Sequence, residues 1–339
     1  MPDDADNHHY HPLVKALAKS LRTKCRVRPG STIVVACSGG ADSIALLRGL
    51  AMLATRRKWE LELIVGHVQH HLRGEAAEQD AAVVRNLADE LGLGFERRDV
   101  KPGQVPGNVE ANARTMRYRA LTQIALGHDA HYVATAHHAD DQLETVLMRL
   151  IRGASVTGLR GIAWRKRLRT GHDADRVYAI RPMLGAHHED AIDLLKQLGQ
   201  PWQEDETNAD LTRTRARLRH QVLPLLKAIR GDAAGKAVAL AEHFDHLHKL
   251  VQEHTQQVPD TLDTMTREHA RSLNPIVLTQ ALRRDLINAG VSKDRIPGHA
   301  LHPVIDAVND TTGGERTFAF AGGVTIVVDK DNLRVQKSA

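Results

Sequence analysis

Ile33-Val34-Val35-Ala36-Cys37-Ser38-Gly39-Gly40-Ala41-Asp42-Ser43 is the stretch on which the reading of this chain turns. Four apolar residues run into a loop with two adjacent glycines, and a helix-period segment continues from Ser43 to Thr55. Adjacent glycines let the backbone turn tightly and bring bare amide N–H groups close to a ligand. The helix start behind them adds roughly half a positive charge and unpaired donors, which suits a phosphate. Ser38, Gly39, Gly40, Ala41, Asp42 and Ser43 are therefore the expected nucleotide-binding residues, with hydroxyls from Ser38 and Ser43. A carboxylate is out of place against a phosphate unless a cation lies between. Asp42 is thus read as a Mg²⁺ ligand or as a residue that orients one. A plain strand-to-helix turn with an N-cap is the competing reading. No GxxxxGK[ST] loop occurs in the chain.

Outward from this loop, short apolar runs alternate with helical patterns. Thr32 to Cys37, Leu61 to His67, Phe95 to Val100 and Tyr132 to Ala136 read as strands. Ser43 to Thr55, Glu75 to Leu91, Val109 to Leu126 and Asp141 to Arg152 read as helices. That alternation predicts an α/β fold, a parallel sheet with helices on both faces. Ligands on such sheets sit where strand ends turn into helices. Beyond Arg181 the alternation fades. His188 to Leu198 and Thr212 to Leu226 are expected helices, and Leu240, Phe244, Leu247 and Val251 mark an apolar stripe on a later one. Thr317 to Val335 suggests small hairpins. The expected domains are residues 1–228 and a smaller, mainly helical 229–339.

The turn after the fourth strand reads Thr135-Ala136-His137-His138-Ala139-Asp140-Asp141-Gln142-Leu143-Glu144-Thr145. Leu143, Val146, Leu147, Leu150 and Ile151 form a stripe that should pack the following helix on the sheet. Asp141 and Glu144 then project toward the strand-end cleft, where two carboxylates can hold a hard cation through oxygen. Complementing the helix N-terminus is the alternative. The Asp42, Asp141 and Glu144 carboxylates are the expected catalytic and Mg²⁺-holding set. A zinc site at His137-His138 is disfavoured, since no thiol or third spaced His accompanies the pair.

Composition narrows the class. The chain has 339 residues, 42% hydrophobic and 26% charged, which excludes extended disorder. No apolar run suits a membrane helix, and Met1 to Pro12 lacks the pattern of a secretion signal. Two cysteines, Cys25 and Cys37, cannot build a disulfide framework or a four-Cys zinc site. A cytoplasmic protein with no membrane partner is expected. Net charge is +5, yet Thr145 to His172 alone carries seven Arg/Lys and no acid, leaving the remainder at −2. Basicity gathered in one window points to a polyanion such as nucleic acid, or to a solvated basic loop.

Ser38 to Ser43 resembles the SGGxDS pyrophosphate loop of the N-type ATP pyrophosphatases (the PP-loop superfamily), which split ATP between its α and β phosphates. Together with the His137-His138-Ala139-Asp140-Asp141-Gln142 turn it resembles the tRNA(Ile)-lysidine synthetase family. Further matches are His67-Val68-Gln69-His70-His71-Leu72-Arg73, Glu110-Ala111 with Ala113-Arg114 and Arg117-Tyr118, and Arg181-Pro182-Met183-Leu184. Trp202 to Asn208 and Leu218-Arg219-His220 to Leu226 complete the set, so the resemblance covers residues 32–226. Its length is similar to the shorter form of the family, without an additional distal domain. Gln69 stands where Asp or Asn is usual, and Ala216 where Asn is common.

The resemblance implies a ligase that joins free L-lysine to the wobble cytidine of the CAU anticodon of tRNA(Ile), consuming ATP and Mg²⁺. The ring carbonyl at position 2 is adenylated with loss of pyrophosphate, and the lysine ε-amine then displaces AMP. Adenylation turns a poor leaving group into a good one. The ε-ammonium of lysine ordinarily titrates near pH 10.4, so only about one molecule in 2,500 is neutral at pH 7 and a proton acceptor is needed. His137, His138 and Asp140 are candidates, and the sequence does not choose among them. Arg114 and Arg117 either reach phosphates or make structural ion pairs. Arg165 and Arg167, within Arg160 to Arg169, and Arg215 and Arg219, beside Arg213 and Arg217, are candidate tRNA contacts, with a solvated face as the alternative for the second group. A homodimer stays open. Two competing readings remain, a tRNA cytidine thiolase of the same superfamily and a non-catalytic tRNA-binding relic. Thiolases need paired cysteines or an iron–sulfur cluster, and no CxxC is present.

Overall fold

The computed structural model describes residues 11–70, 75–154, 158–168, 176–203, 213–259, 265–292, 295–297 and 299–337. His71, Leu72 and Arg73 of the His67 to Arg73 match, 169–172 of the basic window and 204–208 lie outside the described residues. Two compact units result. One comprises residues 1–145 with 162–238, the other 146–161 with 239–339.

The first unit is built on a six-stranded sheet. Its strands are β1 (Thr32–Ala36), β2 (Glu62–Gln69), β3 (Gly94–Asp99), β4 (Tyr132–Ala134), β5 (Arg165–Arg167) and β6 (Tyr178–Ile180). They lie in the order β3-β2-β1-β4-β6-β5. All neighbours run parallel except β5, which closes the edge antiparallel to β6. The β1 register is Val34 opposite Ile64 on one side and Val133 on the other. The chain leaves β1 toward β2 and returns to β4 on the opposite flank. The carboxyl ends of β1 and β4 therefore form the switch point where an open α/β sheet takes its ligand.

Alternation along the strands loads both faces. Ile33, Val35, Leu63, Val65 and Ala134 join one core with α1 (Pro12–Thr23), α2 (Ala41–Ala54) and α3 (Glu75–Glu90). Val34, Ile64, Val133 and Ala179 join the other with Tyr118, Leu121, Ile124 and Ala125 of α4 (Val109–Gly127). A Cβ at Gly66 would stand 2.8 Å from Val34 Cγ1 and 3.1 Å from Leu121 Cδ2, so glycine lets α4 sit close on the strands. The predicted sheet with helices on both faces is what forms.

Three details depart from expectation. Helix α1 lies outside the expected elements, yet Leu13, Val14, Leu17 and Leu21 are fully buried and His11 caps its start by accepting from Leu13 N. Strand β5 lies in the basic window and β6 in a stretch assigned no element, each being too short to show a period. Helix α5 (Ala139–Ile151) buries Leu143 and Val146, but Leu150 is 60% and Ile151 65% exposed, so only the first half of the stripe packs.

Helix α6 (His188–Gln197) follows β6, and the expected helix at Thr212 to Leu226 is a continuous helical run. It consists of α7 (Thr214–Arg217), a π turn at Leu218–Val222 and α8 (Leu223–Ile229). Pro224 has no N–H, and its ring would press on the His220 carbonyl in an ordinary α-helix. The wider turn relieves that conflict. Helix α9 (Ala233–Gln256) buries Ala237, Val238, Ala241 and His248. Leu240 and Leu247 of the expected stripe are exposed, so the buried face is rotated onto the small residues. The second unit adds β7 (Met265–Thr266), α10 (Arg267–Ser272), α11 (Pro275–Asn288) and α12 (His302–Asn309), then β8 (Arg316–Phe320), β9 (Val324–Val328) and β10 (Asn332–Lys337). Its sheet has the order β7-β10-β9-β8 and contains the expected hairpins, β8 with β9 and β9 with β10. Among the described residues, no helix is long and apolar enough to cross a membrane.

Candidate active site

The loop leaving β1 is held by its own serines. Ser43 Oγ donates to Gly40 O at 2.8 Å and accepts from Ser38 N at 3.1 Å. Gly39 has φ +94°, a left-handed conformation that an L side chain strains, so the sequence needs glycine there. Gly40 is the N-cap of α2 with no side-chain bond of its own. Gln203 N donates to Gly39 O at 3.1 Å and pins the loop from outside. That contact carries no signal in the sequence. Cys37 and Cys25 are buried, and burial raises both thiols, Cys25 up to about 12. Such thiols are inert at neutral pH.

Asp42 lies on the first turn of α2, beside the turn after β4. It accepts from His188 Nδ1 at 2.8 Å and lies 3.5 Å from His138 Nε2. Burial alone would raise its carboxyl, but hydrogen bonds from His138 and His188 outweigh that and hold it well below the usual range. His138 is the hub. Its ring nitrogens lie 3.5 Å from Asp140 Oδ2 and 3.6 Å from Asp141 Oδ2, in addition to Asp42. Burial opposes its charge, yet the Asp141 charge and bonds to Asp140 and Asp42 raise it to about 10. His137 goes the other way. Burial pushes it down to about 3, with the Arg181, Arg117 and Arg114 charges acting in the same sense against Asp141. Adjacent histidines thus carry opposite protonation at neutral pH.

Asp141 Oδ2 accepts from His138 N at 3.1 Å, closing the first turn of α5. Its Oδ1 takes Arg219 Nη2 at 3.1 Å and Arg215 Nη2 at 3.4 Å. Glu144 is fully buried, with Oε2 accepting from Arg215 Nε at 2.8 Å and Oε1 from Arg219 Nε at 2.5 Å. Two expected tRNA contacts therefore cover two expected metal ligands. Asp140 accepts from His188 N at 3.1 Å and pairs with Lys227, which also reaches Glu189 at 2.8 Å. The helical run 214–229 thus delivers three cations onto the acidic turn.

The remaining candidates separate. The Arg114 and Arg117 guanidinium groups lie 5.3 and 5.6 Å from the Tyr118 ring, whose hydroxyl accepts from Arg181 Nη2 at 3.1 Å. Arg117 Nε is buried without a hydrogen-bond partner. Arg165 stacks 3.8 Å from the Tyr178 ring, while Arg167 is exposed. Gln142 is structural, exchanging two bonds with the Ile162 backbone. The site residues missed in the sequence are His188 and Lys227. Both belong to segments read only as helices, and each acquires its role by long-range contact.

The pH dependence follows from His138. A group raised in the folded state stabilises fully below its unfolded pKa, near 6.5, and loses that contribution as pH rises through about 10. Nucleotide-free, chelator-treated protein should lose on the order of a few kcal/mol between pH 6.5 and 10. Denaturant midpoints across that range, wild type against His138→Gln, test it. The variant should show a flatter alkaline limb, and parallel limbs would refute the assignment.

Residues 10–226 match the PP-loop domain family. The tRNA(Ile)-lysidine synthase of Bacillus cereus is 41% identical over 201 residues, 58% of this chain and 40% of that one. That of Symbiobacterium thermophilum is 34% identical over 310 residues, 88% of this chain and 62% of that one. The chain therefore spans less than two thirds of the length of either relative. A solved U34-tRNA thiolase, NcsA from Methanococcus maripaludis, superposes with TM-score 0.57 at 15% identity, over 69% of this chain and 78% of that one. That likeness is one of fold.

Proposed function

The chain belongs to the PP-loop domain family, and from that premise we propose that it ligates free L-lysine to the wobble cytidine of tRNA(Ile) carrying the CAU anticodon. ATP is split to AMP and pyrophosphate, and the protein works in the cytoplasm. The observation that carries the reading is the meeting of the Ser38–Ser43 loop with the Asp140-Asp141-Gln142 turn at the switch point of the sheet, through Asp42 and His138. The two lysidine synthases support the substrate.

In this reading the Gly39 and Gly40 amides with Ser38 and Ser43 hold the departing pyrophosphate. Mg²⁺ entering with ATP would screen the phosphates from the attacking carbonyl oxygen. The donor set suits such an ion in part. Asp42 and Asp141 are ionised carboxylates near His138 Nε2, but Asp141 Oδ1 and both Glu144 oxygens are held by Arg215 and Arg219. Asp42 would hold the ion, and Asp141 and Glu144 would join when those arginines withdraw. His138, charged at neutral pH, acts as a donor to phosphate and not as the acceptor of the lysine proton. His137 is neutral but weakly basic. Asp140, held ionised well below the usual carboxylate range by hydrogen bonds from His138 and Lys227, is also a weak base, and in this reading it orients those two cations and does not take the lysine proton. Arg117, with its unpartnered Nε, and Arg114 beside it would meet an anionic group in this reading. Arg167, Arg213 and Arg217 are exposed and would meet tRNA phosphates. In this proposal residues 1–228 carry catalysis and 229–339 contribute to tRNA binding.

The test is incubation of purified protein with ATP, labelled lysine and tRNA(Ile) bearing CAU. Label should enter the tRNA with equimolar AMP and pyrophosphate. Sulfur incorporation without lysine would replace this reading with a thiolase, which the raised, buried thiols oppose. tRNA binding without ATP cleavage would leave the relic.

A further inference from the structure

Asp42, His138 and His188 bring together one carboxylate and two imidazoles from three segments, the start of α2, the turn after β4 and the start of α6. Their ligating atoms all lie within 4.8 Å of one another. His188 Nδ1 is 2.8 Å and His138 Nε2 3.5 Å from the two oxygens of Asp42, and the rings are tilted by 39° with centroids 5.4 Å apart. A four-coordinate ion with bonds of about 2.0–2.1 Å sets its ligand atoms about 3.3 Å apart. The two spacings to Asp42 bracket that value, and the two imidazole nitrogens lie within 4.8 Å of each other.

We propose that Asp42, His138 and His188 form a binding site for a borderline divalent transition-metal ion of the Zn²⁺ or Co²⁺ class, filled in the absence of nucleotide, the ion displacing the Nε2 proton of His138 to solvent. Two imidazoles and one carboxylate are the ligand chemistry of such ions, whereas Mg²⁺ prefers all-oxygen shells and keeps its water. The surrounding charge favours a cation as well. Asp140 and Asp141 stand 3.5 and 3.6 Å from the His138 ring nitrogens, so three carboxylates converge on one imidazole. His138 Nδ1 faces Asp140 Oδ2 at 3.5 Å, which leaves Nε2 as the nitrogen offered to the ion. The His188 side chain is 43% exposed and leaves an open mouth for the fourth ligand, a water or an incoming anion. A second cluster, Asp140, His187 and Glu189, has comparable spacing but already holds the Lys227 ammonium between its two carboxylates. The proposal goes beyond the ligase reading and needs neither ATP nor tRNA.

The experiment is titration of the full-length, chelator-treated, nucleotide-free chain with Co²⁺ at neutral pH, followed by visible ligand-field absorption and by calorimetry with Zn²⁺. The His8-His9 pair near the N-terminus offers competing imidazoles, so the decisive quantity is what a substitution removes. One equivalent should bind with the intense absorption of a low-coordinate site. His188→Ala and His138→Ala should each weaken that equivalent at least about 100-fold, while His187→Ala leaves it unchanged. Circular dichroism of each variant checks folding, and paramagnetic broadening of the His188 ring signals in the wild-type chain gives a readout that needs no substitution. Absorption and uptake that persist in His188→Ala, or wild-type protein that shows no such band and no broadening, would overturn the site. Either result would leave lysine transfer with Mg²⁺ and ATP intact, so the two readings fail separately.

Discussion

Asp42→Ala should lower lysine transfer by about 10²–10³-fold while tRNA binding stays near the wild-type level. Asp42 is the one carboxylate of the phosphate loop, and two histidines hold it ionised. Its removal takes away negative charge at the place where a triphosphate needs a cation, and leaves His138 and His188 as uncompensated donors. Tight but unproductive ATP binding is therefore compatible with the loss of rate. Asp42→Asn separates charge from shape, because the amide oxygen can still accept from His188. Equal loss in both variants, measured as single-turnover transfer with tRNA in excess, is the expected result. Near-normal rates in Asp42→Asn would show that the charge of Asp42 is not needed and would contradict its role at the ion.

Glu144→Ala should lower both stability and activity. The side chain is fully buried and each oxygen takes a guanidinium, one from α7 and one from the π turn that follows it. Breaking a buried pair by deleting one partner costs about 3–5 kcal/mol. Arg215 and Arg219 are 42% and 37% exposed and can turn to water, so we expect about 2 kcal/mol, or a midpoint lower by about 4–8 °C. With its two ties gone, the 214–229 run should be cut by trypsin at Arg213 to Arg219 well before the rest of the chain. Activity should fall with it, since Asp141 loses its ordered neighbours. Glu144→Gln keeps one acceptor and should fall between. Unchanged melting and unchanged proteolysis in Glu144→Ala would mean that the arginines contribute no cohesion there.

Much of this arrangement is written in local sequence. The Thr32–Ala36 strand, its glycine pair and the following helix are a strand period, a turn and a helix period in direct succession, and each is set by neighbours a few residues away. The acidic turn after β4 is legible for the same reason. Helix α1 carries an equally plain stripe, Leu13, Val14, Leu17 and Leu21, but it follows a polar, His-rich start whose composition masks the period. Strands β5 and β6 have three residues each, too few for an alternation to show. The roles of His188 and Lys227 could not be read at all. Nothing near residue 188 announces that Asp42, 146 positions away in the chain, is its partner, and the helix at Leu223–Ile229 looks merely amphipathic until its lysine meets Asp140. The carboxylates declare themselves by clustering, while their counter-charges come from wherever the chain returns.

The most direct trial of this account is a crystal structure with a non-hydrolysable ATP analogue and a divalent ion. The account requires the β and γ phosphates on the Gly39 and Gly40 amides, with the ion between them and Asp42. A triphosphate bound on any other surface, with Asp42 still paired only to His138 and His188, would contradict it.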